Sequence, residues 1–79
     1  MNYAVYFLQD PKICGGEIVI KGTRVTVKTI LASLAEGSDS QQIITDFPTV
    51  SADAVRAVIA FAAASVEEDL PLPAIPKLA

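Results

Sequence analysis

Histidine and tryptophan are absent from this 79-residue chain, and cysteine occurs once, at Cys14. Without histidine the commonest general base and imidazole metal ligand are missing. A single thiol closes no intramolecular disulfide and builds no cysteine-based zinc cluster. Charge is scarce as well: charged residues are 19% of the chain, with six basic against nine acidic and a net charge of −3. The sequence pI near 4.6 argues against indiscriminate nucleic-acid binding, which usually shows as a basic domain. Long apolar runs are missing too. The longest is Ala57–Ala64, far short of the roughly 20 residues that span a bilayer, and Met1-Asn2-Tyr3 opens without a basic leader region. The expectation is a reduced, cytoplasmic protein with no membrane partner, no cofactor and no metal.

What the chain has in quantity is apolar surface. Apolar residues are 52% of it and the mean hydropathy is +0.47. A domain this small hides only about 60% of the surface its unfolded form exposes, so apolar side chains that the core cannot hold must lie outside. Large patches of that kind mark contacts with partners. An oligomer or a partner-bound subunit is expected.

Tyr3–Leu8 is rich in aromatic and β-branched types and predicts a short strand; Asp10-Pro11 and Gly15-Gly16 then break the chain. Glu17–Lys21 predicts a second strand, with Gly22-Thr23 as a two-residue turn into a short return strand, Arg24–Thr26. Val27, Ile30, Leu31, Leu34 and Ala35 follow the spacing of a helix with one buried stripe. Gly37 suits its C-terminal cap. Ser38, with Gln41 three residues on, is a capping-box pattern for a short second helix carrying Ile43, Ile44 and Phe47 and ended by Pro48. Ser51 predicts the N-cap of a third helix, with Asp53 in its first turn. Val55, Val58, Ile59, Ala62 and Val66 make one stripe on that helix. Ala54, Ala57, Val58, Phe61 and Ala64 make a second, assigned to a dimer interface because a helix apolar nearly all round must be covered nearly all round.

The sequence divides at residue 66. Residues 67–79 hold three prolines punctuated by leucine and isoleucine, which predicts an extended tail. That tail either lies along a partner's groove or folds back on its own helices. The fold expected for residues 1–66 is mostly α: a three-helix, helix-turn-helix-like (homeodomain-like) domain, preceded by a short N-terminal strand and β-hairpin.

Catalytic options are thin. Cys14 has no histidine to form a thiolate pair, the serines read as caps or surface positions, and Asp39, Asp46 and Asp53 fall in separate contexts. No enzyme is expected. In a helix-turn-helix unit the start of the second helix of the motif meets base edges, and among Ala52, Asp53, Ala54 and Arg56 only Arg56 is a strong donor. Lys12, Lys21, Arg24 and Lys28 outnumber Asp10 and Glu17 in the first third, whereas from Glu36 onward seven acids face Arg56 and Lys77. Lys21, Thr23, Arg24, Lys28 and Arg56 are therefore the candidate DNA contacts. For Arg24 a structural role is favoured over a DNA contact, holding Asp46 or a C-terminal carbonyl of a neighbouring helix.

Ile13-Cys14-Gly15-Gly16-Glu17, Val19-Ile20-Lys21-Gly22-Thr23-Arg24-Val25, Ile30-Leu31 with Glu36-Gly37, and Phe47-Pro48 together resemble the domain-of-unknown-function family 433. Ile18 and Thr26 stand where that family frequently has proline. The resemblance implies a helix-turn-helix-like domain behind a β-hairpin, and an antitoxin role similar to that of VapB antitoxins. Such a protein neutralises a PIN-like nuclease toxin and binds its own promoter as a homodimer or higher oligomer. On this reading Leu70, Leu72, Ile75, Lys77 and Leu78 grip the toxin, with Lys77 competing for the nuclease's metal site. The alternatives are a stand-alone DNA-binding regulator and a purely structural dimerisation module.

Overall fold

The computed structural model describes residues 2–67, and the toxin-binding candidates Leu70, Leu72, Ile75, Lys77 and Leu78 lie outside them. Among the described residues a two-stranded antiparallel sheet precedes three packed helices. A one-turn 3-10 helix, Tyr3–Tyr6, leads into β1 (Phe7–Gln9); β2 (Ile18–Ile20), α1 (Val27–Ala35), α2 (Ser40–Asp46) and α3 (Ala52–Glu67) follow. The protein is thus mostly helical, with the sheet confined to its N-terminal part.

The sheet corrects the expected pairing. β2 lies against β1, with Phe7 opposite Ile20 and Gln9 opposite Ile18. The return segment Arg24–Thr26 contributes one isolated bridge, Val19 to Thr26, beside the bond from Ile20 N–H to the Val25 carbonyl. It goes no further because Thr26 is already the N-cap of α1, its hydroxyl accepting from Thr29 N–H. The turn is also shifted by one residue. Thr23 N–H closes on the Ile20 carbonyl, so Lys21 and Gly22 are its central pair. Gly22, at φ +83°, supplies the left-handed conformation that a type II turn requires at its third position. Tyr3–Tyr6, expected as strand, forms its 3-10 turn instead.

Between α1 and α2 the chain turns through a Schellman cap. Gly37 takes φ +102°, its N–H bonds the Leu34 carbonyl, and Ser38 N–H bonds the Ser33 carbonyl. These are the paired bonds of that motif. Ser38 is thereby committed to ending α1, and the cap of α2 moves to Asp39, whose carboxylate accepts from Gln42 N–H at 2.9 Å. After α2 the Phe47-Pro48 step has a plain mechanical role. Val50 N–H bonds the Phe47 carbonyl around a β-turn with proline in its favoured second position, which delivers Val50 into the core and Ser51 to cap α3. Ser51 Oγ accepts from Ala54 N–H at 3.1 Å.

The core gathers Ile20, Val27, Ile30, Ile43, Val50, Ala54, Val55 and Val58, with Tyr6, Phe7, Leu31, Leu34, Phe47 and Phe61 packed around it. α3 is its central element and touches the Tyr3–Tyr6 turn, α1 and α2. That position rotates α3 by about one residue's step from the stripe that its sequence suggests. Ala54, Ala57 and Val58, expected at a dimer interface, are 2%, 0% and 0% exposed. They are interior to the protomer and no second chain can reach them. Phe61 and Ala64 are half-buried, and Phe61 stacks edge-on against Tyr3 and Phe7 of its own chain.

Candidate interaction surface

The predicted DNA contacts separate into two places. Lys21 and Arg24 flank the Gly22 turn and Lys28 lies in the first turn of α1; all three side chains are exposed. The loop before β2 reaches the same region, because the Cys14 thiol donates to the Arg24 carbonyl at 3.4 Å. Cys14 is half-buried and takes a left-handed conformation, φ +50°. Thr23 is not free to join Lys21, Arg24 and Lys28. Its hydroxyl donates to the Ile20 carbonyl at 2.8 Å and accepts from Val25 N–H at 3.0 Å, so it staples the turn rather than offering a contact. The expected bridge from Arg24 to Asp46 is absent: among the described residues the one ion pair joins Arg56 and Asp53, and Asp46 instead accepts from Gln42 Nε2.

Arg56 lies on another element, α3. It pairs with Asp53 at 3.5 Å, both side chains well exposed, so the pair contributes little to stability. Around it the outer side of α3 is apolar and small. Ala52, Arg56, Ile59, Ala63 and Val66 recur every three or four residues and are all exposed, Ile59 at 48% and Val66 at 54%. A groove-reading helix needs donors and acceptors along its outer face, and this face offers Arg56 and the repelling Asp53. Its chemistry is that of a protein contact.

Sequence reasoning missed Ile59, Ala63 and Val66 as the outer stripe, although a signal was present. Asp53, Arg56 and Glu67 are the charged residues of α3, and unpaired charges stay outside. The residues in line with Arg56 therefore had to face solvent, which places the two apolar stripes correctly.

The remaining chemistry is quiet. Among the described residues no buried side-chain polar atom lacks a hydrogen-bond partner, no pocket opens, and no cluster of three potential metal ligands forms. No helix among them is long and apolar enough to cross a membrane.

The sequence model of the family described as "Protein of unknown function (DUF433)" matches residues 9–62. That span runs from the end of β1 through most of α3, so it includes the Cys14 loop, the Gly22 turn and the Phe47-Pro48 step. The chain is 34% identical over 56 residues to the uncharacterized protein y4eO of Sinorhizobium fredii (strain NBRC 101917 / NGR234), covering 71% of itself and 25% of that protein. It therefore spans about a quarter of the length of this relative. Among solved structures it resembles a DUF433 member protein from Anabaena variabilis ATCC 29413, with a TM-score of 0.71 at 24% identity, over 80% of this chain and 62% of that one. At that identity the likeness is one of fold.

Proposed function

This chain belongs to the DUF433 family of proteins of unknown function, and from that premise we propose that it is an antitoxin-type binding subunit. It acts in the cytoplasm, holding a PIN-like ribonuclease in an inactive complex. The observation that carries the reading is the apolar surface left open by a fold whose own core is complete. Ile59 and Val66 on α3, Val5 in the 3-10 turn and Leu8 on β1 are all exposed, and surfaces of this kind serve association. The sequence of residues 70–78 adds four large apolar anchors spaced by prolines. Proline limits the conformations such a segment loses on binding, and buried apolar anchors carry most of an interface's affinity.

The test is co-expression with the protein encoded beside it. Growth arrest by that neighbour should be relieved, and the two should purify together. Leu70→Asp with Leu72→Asp, or removal of residues 68–79, should separate them in a pull-down. A neighbour that is no nuclease, or arrest left unrelieved by the full chain, sinks the reading. Relief that survives the tail deletion removes the tail from it.

Operator binding is the second half of the proposal, supported by Lys21, Arg24 and Lys28, which are exposed and make no ion pair among the described residues. Phosphate contacts of this type make affinity fall with salt. In a gel-shift with the chain's own promoter, Arg24→Ala with Lys28→Ala should lower the slope of log affinity on log salt by about two, whereas Thr23→Val should act on stability alone. Promoter binding unchanged by the double substitution would take DNA contact away from this turn.

A further inference from the structure

The outer face of α3 has a symmetry of its own. Arg56 stands toward one end of it and Glu67 closes the other, about 16 Å further along at the rise of an α-helix. Between them Ile59, large and exposed, is followed four residues on by Ala63, small and exposed. Glu67 is poorly placed within its own helix. The last turn of α3 carries no basic residue, so this carboxylate lies at the negative end of the helix dipole, where a cation is favoured. Among the described residues it has no ion pair.

A two-fold axis crossing the helix midway between Ile59 and Ala63 answers each of these features. It lays a second α3 antiparallel on the first, sets Ile59 of each copy over Ala63 of the other, and brings Arg56 of each beside Glu67 of the other. Self-complementarity of this sort is what an isologous contact demands: one patch must be both the surface and its partner. The small residue stands where the large one enters, and opposite charges meet at both ends.

We infer that the outer face of α3 is a self-association surface on which a second copy of this chain docks antiparallel, flanked by two reciprocal Arg56–Glu67 ion pairs. One helix face of about 24 Å is small beside the roughly 800 Å² per partner of a standard interface. The dimer is accordingly weak, with a dissociation constant on the order of 10–100 μM. Nothing in it depends on a nuclease or on DNA; it takes Ile59 and Val66 out of the surface open to another protein and leaves Val5, Leu8 and the anchors of residues 70–78 for the function proposed above.

Sedimentation equilibrium of the full chain from about 1 to about 500 μM, a range set around that constant, tests it. Ile59→Asp should leave a folded monomer throughout. Arg56→Glu and Glu67→Arg should each weaken association by about tenfold, each placing like charges across both ends. Mixed in equal amounts, the two variants should associate about as tightly as the unaltered chain, because both cross pairs then join opposite charges, one in the native sense and one with its signs exchanged. All three positions are exposed, and circular dichroism confirms that each variant is folded. A chain that stays monomeric over the whole range, an Ile59→Asp protein that still dimerises, or a mixture no tighter than its separate components would each overturn the inference.

Discussion

Ile43→Ala is expected to remove about 2–5 kcal/mol of stability, a large part of what a domain of this size holds at about 0.05–0.15 kcal/mol per residue. α2 has seven residues, too few to persist as a helix in water without tertiary support. Ile43 is its one fully buried side chain and sits in the central cluster with Ile30, Val50, Val55 and Val58. Truncation to alanine both loses the transfer energy of three carbons and leaves a void that α1 and α3 cannot easily close. Thermal unfolding followed by circular dichroism should shift down by about 10 °C or more, at the usual 4–8 °C per kcal/mol for small domains. Ile59→Ala on the outer face of α3 is the control, with an effect within about 0.5 kcal/mol. A loss under about 1 kcal/mol at Ile43 would contradict its place at the centre of the core.

The helices were legible where side chains write their ends. Val27 to Ala35 has the helical period and a glycine two residues past its end. Phe47-Pro48 stops α2, and Ser51 opens α3; each of these is a local signal with a local cause. Ser38 misled because two demands met on it. It resembles an N-cap by its hydroxyl, but the Schellman motif takes its N–H for the Ser33 carbonyl, and Asp39 caps α2 instead. The sheet was less legible because its partners are far apart in sequence. Gly22-Thr23 carries the appearance of a hairpin turn, whereas the pairing of Phe7 with Ile20 joins segments separated by the whole Cys14 loop. Burial on α3 was harder still. Two overlapping apolar stripes in an alanine-rich helix differ only by rotation, and rotation is settled by what packs on it: α1, α2 and an N-terminal turn whose own form the sequence concealed. The basic residues around the Gly22 turn could be found from charge alone, but the loss of Thr23 to an internal bond required the fold.

Phe61→Ala decides between two accounts of the same ring. Taken from periodicity, Phe61 belongs to an intersubunit surface, and its removal would reduce association while leaving the protomer's stability almost unchanged. In the structure it is the meeting point of a three-ring cluster. Its centroid lies 5.9 Å from that of Tyr3 and 5.6 Å from that of Phe7, both nearly perpendicular, and Tyr3 and Phe7 lie 6.2 Å apart. Edge-to-face pairs contribute about 0.5–1.5 kcal/mol each beyond the area they bury. Phe61 is only half-buried, so the expected loss is near the lower end of the 3–5 kcal/mol range for such truncations, about 3 kcal/mol. The damage should also be local in its first stage. The 3-10 turn Tyr3–Tyr6 and β1 are held to α3 through these rings, so amide exchange in Phe7–Gln9 and Ile18–Ile20 should accelerate ahead of exchange in α1 and α2. Hydrogen exchange and a melting curve on the variant settle it. Unchanged stability with reduced association would return Phe61 to the surface between subunits; a lower melting point with early opening of the β1–β2 pair fixes it as the bolt between the N-terminal segment and the helical core.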